Sequence, residues 1–544
     1  MLHSGKTMKF SIQLLPLLLL ATIGRADPFA AAQDPAKASE TSLSKSIAAT
    51  LADPSVARAH WGISIIAPDG HSIYALNDRQ FFAPASNAKL FTTAAAFAVF
   101  SQQAHFETKI VARGVLDPDG TLHGDIVLEG SGDPSISGRA WPYAGKTERP
   151  NPPLQALQYL ADQIAKGGLV HKVTGRVVGD DRWFPFDGYG SGWAWDDLQW
   201  DYGAPVSALT VNDNVVYLDL MPGTTPGDPI AASWNPPVPY YALENTAITG
   251  ATAAKPQLGI DRQPGSKVVR LFGTIPLNSQ GVHLALAIED PAEFAALAFR
   301  QMLTAHGIGV AGRAAAQHDL PVTTDEFLDE SRMPIPTPLP TGKLISAPVN
   351  ESSAQSGNTV LATYISPPLG QDLTVINKVS QNLHAELVLR DLGKAVLPSD
   401  TSAGSIAAGA RVVRQFLIQV GVDPADFLFF DGSGLSPKDL ITPRAATTLL
   451  AYAARQPWGK TFRQTLPIAG VDGSLAGRFT QSPVKGNLFA KTGTLAEVNA
   501  LTGYLIARSG RTVILSILCN DHDPSSEATH QAADKIVEAI YAAE

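Results

Sequence analysis

Three short motifs in this chain carry residue types that could together form and break an ester on a serine. Ser86 stands three positions before Lys89, and Ser380 stands two positions before Asn382. Lys491 begins the single Lys-Thr-Gly sequence of the chain. A serine hydroxyl becomes a nucleophile when a neighbouring base takes its proton, and fixed donors can stabilise the resulting oxyanion. The motifs therefore predict a nucleophile, proton-transferring groups and a binding site for a carboxylate.

Ser-x-x-Lys alone is a weak signal, because two other copies begin at Ser42 and Ser482. Residues 90–100 are largely apolar and predict a buried helix directly after Ser86. Residues three apart share a helix face, so the Lys89 amine could reach the Ser86 oxygen. Ser482 is followed by proline in a predicted loop, and Ser42 fits an ordinary helix cap. Taken alone, Ser86 could equally be a cap.

The two downstream motifs are informative because of their order along the chain and the residues that surround them. Ser380 and Asn382 lie in a helical pattern, either inside one helix or at a junction between two, and Ser-x-Asn also begins at Ser233 and Ser356. Lys491 precedes an apolar stretch and is expected at a strand edge. A solvated hairpin end would look similar. In ordered combination, the three motifs favour a catalytic interpretation.

Helices and strands at both ends of the chain must position these motifs. Helices are predicted at 33–56, 90–100, 373–392, 405–420, 443–455 and 528–543, and strands at 61–66, 72–76, 487–492, 498–508 and 511–519. Residues 106–287 instead show short strands separated by Pro/Gly turns. Residues 316–357 are proline-rich and polar, which is typical of a long loop. The simplest organisation is one catalytic domain interrupted by β-rich inserted domains.

Composition excludes several classes of function. The chain has 544 residues and a net charge of −9, which argues against a nucleic-acid partner. Its one cysteine, Cys519, cannot form an internal disulfide, and a buried thiol is expected. The histidines are scattered without metal-ligand spacing, so we expect neither a metal nor a cofactor. His384 is expected to make a packing or polar contact.

The N-terminal residues 1–32 have the pattern of a secretory signal peptide. Lys9 precedes an apolar run, 10–23, and small residues at 24–26 or 30–32 offer cleavage sites. An uncleaved anchor is the alternative. No later stretch reaches about 18 uninterrupted apolar residues. We therefore expect an exported protein, periplasmic or extracytoplasmic, without a stable transmembrane anchor.

The motifs and their surroundings resemble the D-alanyl-D-alanine carboxypeptidase/endopeptidase family, the low-molecular-mass penicillin-binding proteins with inserted domains. The matching segments are 82–95, 130–134, 203–209, 366–369, 380–382, 431–436, 467–475 and 490–495. The long stretch between the first two motifs is what the inserted domains of this family imply. The proline-rich residues 316–357 depart from the family by their length, and a surface loop is favoured there over a functional lid.

The resemblance implies an α+β fold, with a β-lactamase/transpeptidase-like catalytic domain in which helices flank an antiparallel sheet. The predicted domains are a signal peptide at 1–32, the catalytic domain at 33–105 and 345–544, a first inserted domain at 106–211 and 284–344, and a second, nested one at 212–283.

The resemblance also implies a role for each motif residue. Ser86 would be acylated by the substrate while Lys89 takes its proton. Ser380 would pass that proton to the leaving nitrogen, and Asn382 would orient the amine and the substrate amide. Lys491 would bind the terminal carboxylate of the substrate.

Further residues are implied to bind the substrate. Thr492 would share the carboxylate, Gly493 would let the strand pass close to the nucleophile, and the backbone N–H groups of Thr494 and the nucleophilic serine would form the oxyanion hole. An acidic residue of the first inserted domain is implied to contact a peptide side chain. Asp197 matches by context and Asp196 is the close alternative, although a solvent-facing loop acid would look the same.

The implied partners are peptidoglycan stem peptides as substrates and β-lactams as inhibitors. A β-lactamase is the nearest alternative, but its Glu-x-x-x-Asn element is not evident. A non-catalytic peptidoglycan-binding protein is a second alternative, against which the complete set of catalytic residue types argues. The preference between carboxypeptidase and endopeptidase action and the oligomeric state, including a homo-oligomer, stay open.

Overall fold

The structure is a computed structural model, and residues 42–544 form one compact unit. It describes residues 41–145, 149–253, 255–321, 326–335, 339, 358–400 and 402–544. The predicted signal peptide and residues 322–325, 336–338 and 340–357 of the proline-rich stretch lie outside the described residues. The loop predicted over 316–357 is wrong in part, because Ala314–Asp319 forms a strand and Phe327–Arg332 forms a helix.

The described chain contains both helices and strands, with a long run of strands in its middle. The helices are α1 (Ser42–Leu51), α2 (Ala88–Val99), α3 (Gln155–Gly167), α4 (Pro291–Ala305), α5 (Phe327–Arg332), α6 (Leu369–Lys378), α7 (Asn382–Val396), α8 (Ile406–Gln419), α9 (Pro443–Ala454), α10 (Gly459–Thr465) and α11 (Ala528–Ala543). The strands are β1 (His60–Ile66), β2 (Ser72–Leu76), β3 (Glu107–Leu116), β4 (Thr121–Glu129), β5 (Lys172–Val173), β6 (Val177–Pro185), β7 (Val215–Met221), β8 (Ala231–Asn235), β9 (Ala242–Asn245), β10 (Ile248–Gly250), β11 (Gln257–Asp261), β12 (Val268–Pro276), β13 (Val282–Ala287), β14 (Gly309–Val310), β15 (Ala314–Asp319), β16 (Thr359–Ile365), β17 (Phe427–Leu428), β18 (Leu440–Ile441), β19 (Leu488–Leu495), β20 (Val498–Ile506) and β21 (Thr512–Asn520).

A five-stranded antiparallel sheet joins the two ends of the chain in the order β19-β20-β21-β1-β2. Successive residues of a strand point to opposite faces, and here both faces are covered. Leu501 and Leu505 pack with α1 and α11, whereas Ala500 and Tyr504 pack with the helices on the other side, including α9. This sheet leaves β19, the strand that carries the Lys-Thr-Gly motif, at an edge.

Helix α2 lies at the centre of the helical layer. All of its 12 residues are buried, because it is apolar on every side and packs between α6, α7, α8 and α9. Its many alanines allow these neighbours to approach closely. The first turn of α2 therefore places Lys89 in the interior of the protein.

The middle of the chain is rich in strands. A seven-stranded mixed sheet has the order β14-β5-β4-β3-β16, with β6 and β15 attached beside β4, and α3 and α4 pack on it. A three-stranded sheet (β13-β7-β8) and a four-stranded sheet (β9, β10, β11, β12) follow.

Strand β16 pairs with β3 although it lies in a segment assigned by sequence to the catalytic domain. The predicted domain boundaries stay a prediction.

Two predicted helices have different bounds in the structure. The single helix predicted over 373–392 is wrong, because the chain leaves α6 after Lys378 and starts α7 at Asn382. Ser380, at the junction, has a φ of +63°, which no helix accommodates. The helix predicted from 33 to 56 is described only as α1, where Pro54 lies three residues beyond the last helical turn.

Candidate active site

Ser86 lies in a 3-10 turn, Ala85–Asn87, that leads directly into α2. Ala85 has a φ of +46°, a left-handed conformation that is unfavourable for a residue with a side chain. Asn87, rather than Ser86, occupies the cap position of the helix. The Ser86 side chain is half-buried and is left to face a cavity.

Lys89 is oriented towards Ser86 by two groups that can only accept hydrogen bonds. Its Nζ lies 2.9 Å from Ser86 Oγ, 2.6 Å from Asn382 Oδ1 and 2.6 Å from the carbonyl oxygen of Ser433. The Asn382 amide nitrogen donates to the carbonyl of Tyr202 at 2.8 Å, which fixes which end of the amide faces Lys89. A neutral amine has two N–H groups and one lone pair. When the amine is neutral and these acceptors use both N–H groups, its lone pair is left for the proton of the Ser86 hydroxyl.

Burial determines the protonation of Lys89. Loss of solvation lowers its pKa to about 7, although the carboxylates of Asp431, Glu386 and Asp439 act in the opposite direction. The side chain has no exposed surface. The amine can therefore change its protonation state near neutral pH, as a proton acceptor must.

The same carboxylates hold the loop that presents the Ser433 carbonyl. Asp431 accepts from the backbone N–H groups of Gly434 at 2.6 Å and Ser436 at 2.7 Å. Glu386 accepts from the backbone N–H of Ser433 at 2.8 Å. The predicted site did not include Asp431 or Glu386. The signal available in the sequence was an acidic residue, Asp431, directly before Gly-Ser-Gly.

The Ser380 turn faces the second buried lysine. Lys491 Nζ donates to Ser380 Oγ at 2.8 Å and to the carbonyl oxygen of Thr492 at 2.8 Å. Burial lowers the pKa of Lys491 well below its usual value, and the nearby charge of Lys89 lowers it further. Both amines are thus buried, and the charge of Lys89 opposes the protonation of Lys491.

Gly493 permits β19 to pass beside the nucleophile. A Cβ atom at Gly493 would lie 2.7 Å from the carbonyl oxygen of Pro84 and 3.1 Å from the nitrogen of Ser86. A side chain at this position would push the strand away from the turn. Glycine therefore sets the distance between Thr494, which follows it, and Ser86.

A cavity of about 710 Å³, which we call the main cavity, opens beside Ser86 and Ser380. Its lining includes Ser86, Ser380, Asn382, Thr494, Asp196, Asp197 and Tyr202. The Tyr202 hydroxyl donates to Asp197 Oδ1 at 3.0 Å. Burial raises the pKa of Asp197, and the Tyr202 hydrogen bond opposes this rise. Asp196 lines the same cavity but is more exposed.

The segment before β19 is fixed by a buried ion pair. Lys378 Nζ lies 2.7 Å and 2.6 Å from the two carboxylate oxygens of Asp472. Asp472 also accepts from the backbone N–H of Ile468 at 2.9 Å. Two residues further on, Ser474 Oγ lies 2.6 Å from Thr492 Oγ1. The ion pair therefore helps to hold the Ser474 hydroxyl beside the Thr492 hydroxyl of the Lys-Thr-Gly motif.

Outside the main cavity, the structure also tests an expectation for His384. His384 is buried and contacts Asp372 at 2.6 Å and Asp213 at 3.4 Å, which confirms the expected polar contact. Within the described ranges no cluster of three or more His, Cys, Asp or Glu side chains could hold a metal ion. No helix in the part of the chain that the structure describes is long and apolar enough to cross a membrane.

Comparison with known proteins identifies relatives over the whole chain. The sequence pattern of the D-Ala-D-Ala carboxypeptidase 3 (S13) family matches residues 43–339 and 339–540. The D-alanyl-D-alanine carboxypeptidase of Actinomadura sp. is 30% identical over 99% of this chain and 92% of that protein. D-alanyl-D-alanine carboxypeptidase DacB of Haemophilus influenzae is 25% identical over 80% of each chain.

A solved structure has the same fold. The crystal structure of penicillin binding protein 4 (dacB) from Haemophilus influenzae superposes with a TM-score of 0.72 at 22% sequence identity, covering 92% of this chain and 98% of that one. This likeness confirms the predicted α+β fold, in which additional regions interrupt a transpeptidase-like domain.

The ion pair before β19 generates a prediction about stability. Replacing Asp472 by Asn leaves the Lys378 ammonium buried without its counter-charge. We expect the free energy of unfolding, measured by urea denaturation, to fall by about 1–3 kcal/mol. Asp423→Asn is the matched control, because the pair of Asp423 with Arg444 is largely exposed. Equal losses in the two variants would contradict the prediction.

Proposed function

Since the chain belongs to the D-Ala-D-Ala carboxypeptidase 3 (S13) family, we propose that it cleaves D-Ala-D-Ala bonds of peptidoglycan stem peptides through an acyl-enzyme on Ser86. The observation that carries this proposal is the orientation of Lys89. Two acceptor-only neighbours use its N–H groups, so that its lone pair is directed at the Ser86 hydroxyl.

In the first step Ser86 Oγ attacks the carbonyl carbon of the penultimate D-Ala, and Lys89 takes the hydroxyl proton. The backbone N–H groups of Ser86 and Thr494 stabilise the oxyanion that forms. Ser380 then relays the proton that Lys89 took from Ser86 to the leaving nitrogen, and the C–N bond breaks. Lys491, which donates to Ser380 Oγ at 2.8 Å, holds this hydroxyl in place. The product of this step is an ester on Ser86.

Lys491 and Thr492 bind the terminal carboxylate of the substrate. An anion beside a buried amine favours its charged form and so raises its pKa. The empty site suppresses the charge of Lys491, and the bound carboxylate restores it. Water then hydrolyses the ester and frees Ser86. A β-lactam acylates Ser86 in the same way and acts as an inhibitor when hydrolysis of the ester is slow.

We assign recognition of the donor peptide to Asp197. Its carboxylate lines the main cavity beside Ser86 and is held by the Tyr202 hydroxyl. A carboxylate at this position fits an ammonium group on the side chain of the stem peptide. Asp196 is the neighbouring alternative.

We also propose that the protein acts outside the cytoplasm, where peptidoglycan lies. The apolar run at 10–23 after Lys9 predicts export, and these residues lie outside the described part of the structure. The regions 106–211 and 284–344, together with 212–283, are proposed as inserted domains that supply the Asp197 wall of the main cavity.

The first prediction concerns the nucleophile. Ser86→Ala is expected to abolish both D-Ala release from a pentapeptide and covalent labelling by a fluorescent penicillin, because among the described residues Ser86 supplies the hydroxyl that is hydrogen-bonded to the Lys89 amine. Ser42→Ala and Ser482→Ala alter the other two Ser-x-x-Lys motifs and should retain both activities. Labelling that persists for many minutes supports a peptidase, whereas rapid turnover of penicillin would indicate a β-lactamase.

A second prediction follows from the pKa of Lys89, about 7. Below this pH the amine is protonated and has no lone pair for Ser86. The rate of acylation by a β-lactam should therefore fall about tenfold per pH unit below 7 and reach a plateau above it. Glu386→Gln removes a negative charge that raises this pKa and should shift the midpoint to lower pH. A rate that is constant between pH 5.5 and 8 would refute the role of Lys89.

A third prediction tests Asp197. Wild-type protein should hydrolyse a pentapeptide with a free side-chain ammonium group about tenfold more efficiently than its acetylated form, which is the size expected of a charged hydrogen bond. Asp197→Asn should remove most of this preference, measured as the ratio of kcat/KM values. Asp196→Asn is the matched control. A preference lost only in the Asp196 variant would move the assignment to that residue.

A further inference from the structure

A part of the β-rich middle of the chain contacts the loop that presents a carbonyl oxygen to Lys89. This loop spans residues 431–436, and we call it the carbonyl loop. The indole Nε1 of Trp193 donates to Asp431 Oδ2 at 2.8 Å, although the two residues are 238 positions apart in the sequence. Asp431 is buried and Trp193 is half-buried. The indole thus ties the carbonyl loop to a distant part of the chain.

The backbone beside Trp193 is shaped for this contact. A Cβ atom at Gly190 would lie 2.4 Å from Trp193 Nε1 and 3.1 Å from Asp431 Cβ. A side chain at Gly190 would therefore force the indole away from the carboxylate. A second hydrogen bond runs from Ser436 Oγ to the backbone carbonyl of Ser191 at 2.7 Å. The middle of the chain thus holds the carbonyl loop at two points.

Asp431 connects the indole with the base of the reaction. Its other oxygen, Oδ1, accepts from the backbone N–H groups of Gly434 at 2.6 Å and Ser433 at 3.1 Å. The Ser433 carbonyl in turn accepts from Lys89 Nζ at 2.6 Å. Hydrogen bonds to an ionised carboxylate are stronger than those between neutral groups. One carboxylate therefore links the Trp193 indole to an acceptor that orients the Lys89 amine.

The carbonyl loop lies directly against the turn that carries the nucleophile. A Cβ atom at Gly434 would lie 1.8 Å from the carbonyl oxygen of Ala85 and 3.0 Å from Ala88 Cβ. The loop and the turn fit together without room for a side chain. A displacement of about 1 Å at a catalytic group can slow a reaction by about 100-fold. Contacts that fix the carbonyl loop relative to the rest of the protein therefore matter for the reaction.

We propose that Trp193 is a positioning residue for the acylation of Ser86. By donating to Asp431, its indole holds the Ser433 carbonyl at the Lys89 amine. Without this hydrogen bond the amine stays buried, but one of its N–H groups loses a well-placed acceptor. The lone pair is then less often left for the hydroxyl proton, and acylation slows. The inference rests on the proposed function, since it concerns the same acyl transfer.

The segment that carries Trp193 also forms a wall of the main cavity. The backbone N–H of Asp197 donates to the carbonyl of Ala194 at 3.0 Å, and both residues line that cavity. One short segment from the β-rich middle of the chain therefore has two separate tasks. Asp197 faces the substrate, whereas Trp193 acts on the base through Asp431.

Rapid-mixing kinetics of acylation by a fluorescent penicillin test the proposal. They separate the dissociation constant of the non-covalent complex from the first-order rate constant of acylation. Trp193→Phe keeps an aromatic ring but removes the N–H donor. We expect the acylation rate constant to fall about tenfold, as for the loss of one hydrogen bond to a charged group. The dissociation constant should change less than twofold, because the groups that bind the ligand are untouched.

Gly190→Ala tests the same hydrogen bond without altering the indole. Its new Cβ displaces Trp193 Nε1, so the acylation rate constant should again fall several-fold. In the double variant Gly190→Ala/Trp193→Phe, the smaller phenyl ring leaves nothing to displace. The double variant should therefore acylate as fast as Trp193→Phe alone, whereas two independent structural defects would add.

Trp61→Phe is the matched control. The indole of Trp61 is also buried and donates to a backbone carbonyl, that of Val56, at 3.1 Å. This variant should keep the wild-type rate constant and dissociation constant. End-point labelling counts the active fraction of each variant, so misfolded protein does not enter the comparison.

A Trp193→Phe rate constant within twofold of wild type would overturn the proposal, as would a loss confined to the dissociation constant or an equal loss in Trp61→Phe. If Trp193→Phe did not fold, a wild-type rate constant in Gly190→Ala would overturn it. Additive losses in the double variant would do so too. In all these cases acylation of the wild-type protein leaves the proposed function intact. Absence of penicillin labelling and of D-Ala release in wild type would instead refute the proposed function itself.

Discussion

The site depends on two fully buried lysine amines, each hydrogen-bonded to the serine of a motif. Lys89 and Lys491 have no exposed surface, and the charge of Lys89 lowers the pKa of Lys491. The acids Asp431, Glu386 and Asp439 oppose the effect of burial on Lys89, whose pKa is about 7, whereas burial and the charge of Lys89 both lower the pKa of Lys491. In the proposed mechanism the first amine accepts a proton, and the second becomes a cation when a carboxylate binds.

Close backbone approach makes this arrangement possible. The Ser86 turn, the Ser380 turn and β19 belong to three elements far apart in the sequence, and each has an unusual backbone feature at the point of contact. Ala85 and Ser380 are left-handed, and Gly493 carries no Cβ where one would meet the Pro84 carbonyl. Such conformations persist only where surrounding packing imposes them. The fully buried α2 and the sheet covered on both faces provide that packing.

The sequence predicted much of this architecture because its signals are local. Strands β1 and β2, the edge position of β19 and the buried helix after Ser86 follow from periodicity and turn residues. The break between α6 and α7 was left open as one of two alternatives, because Ser380 adopts its left-handed conformation beside Lys491, a neighbour distant in sequence. The carbonyl of Ser433 was missed for a similar reason, since any residue type can offer a carbonyl. The hydrogen bond between Trp193 and Asp431 carries no sequence motif, because only the fold brings the two residues together.

The contacts of Asp213 indicate what would happen if the β-rich middle of the chain were removed. This residue lies with Asn212 and Asn214 in three consecutive left-handed positions, and its carboxylate reaches across to Gln381 and His384 at the start of α7. Phe184, Val206 and Ala208 also pack on Leu383 and Leu387 of that helix. Excising the β-rich middle of the chain would therefore strip α7 of an apolar cover and of the acceptor for Gln381. The β-rich middle of the chain thus supports the Ser380 turn directly. We expect a catalytic core without it to lose the conformation of this turn.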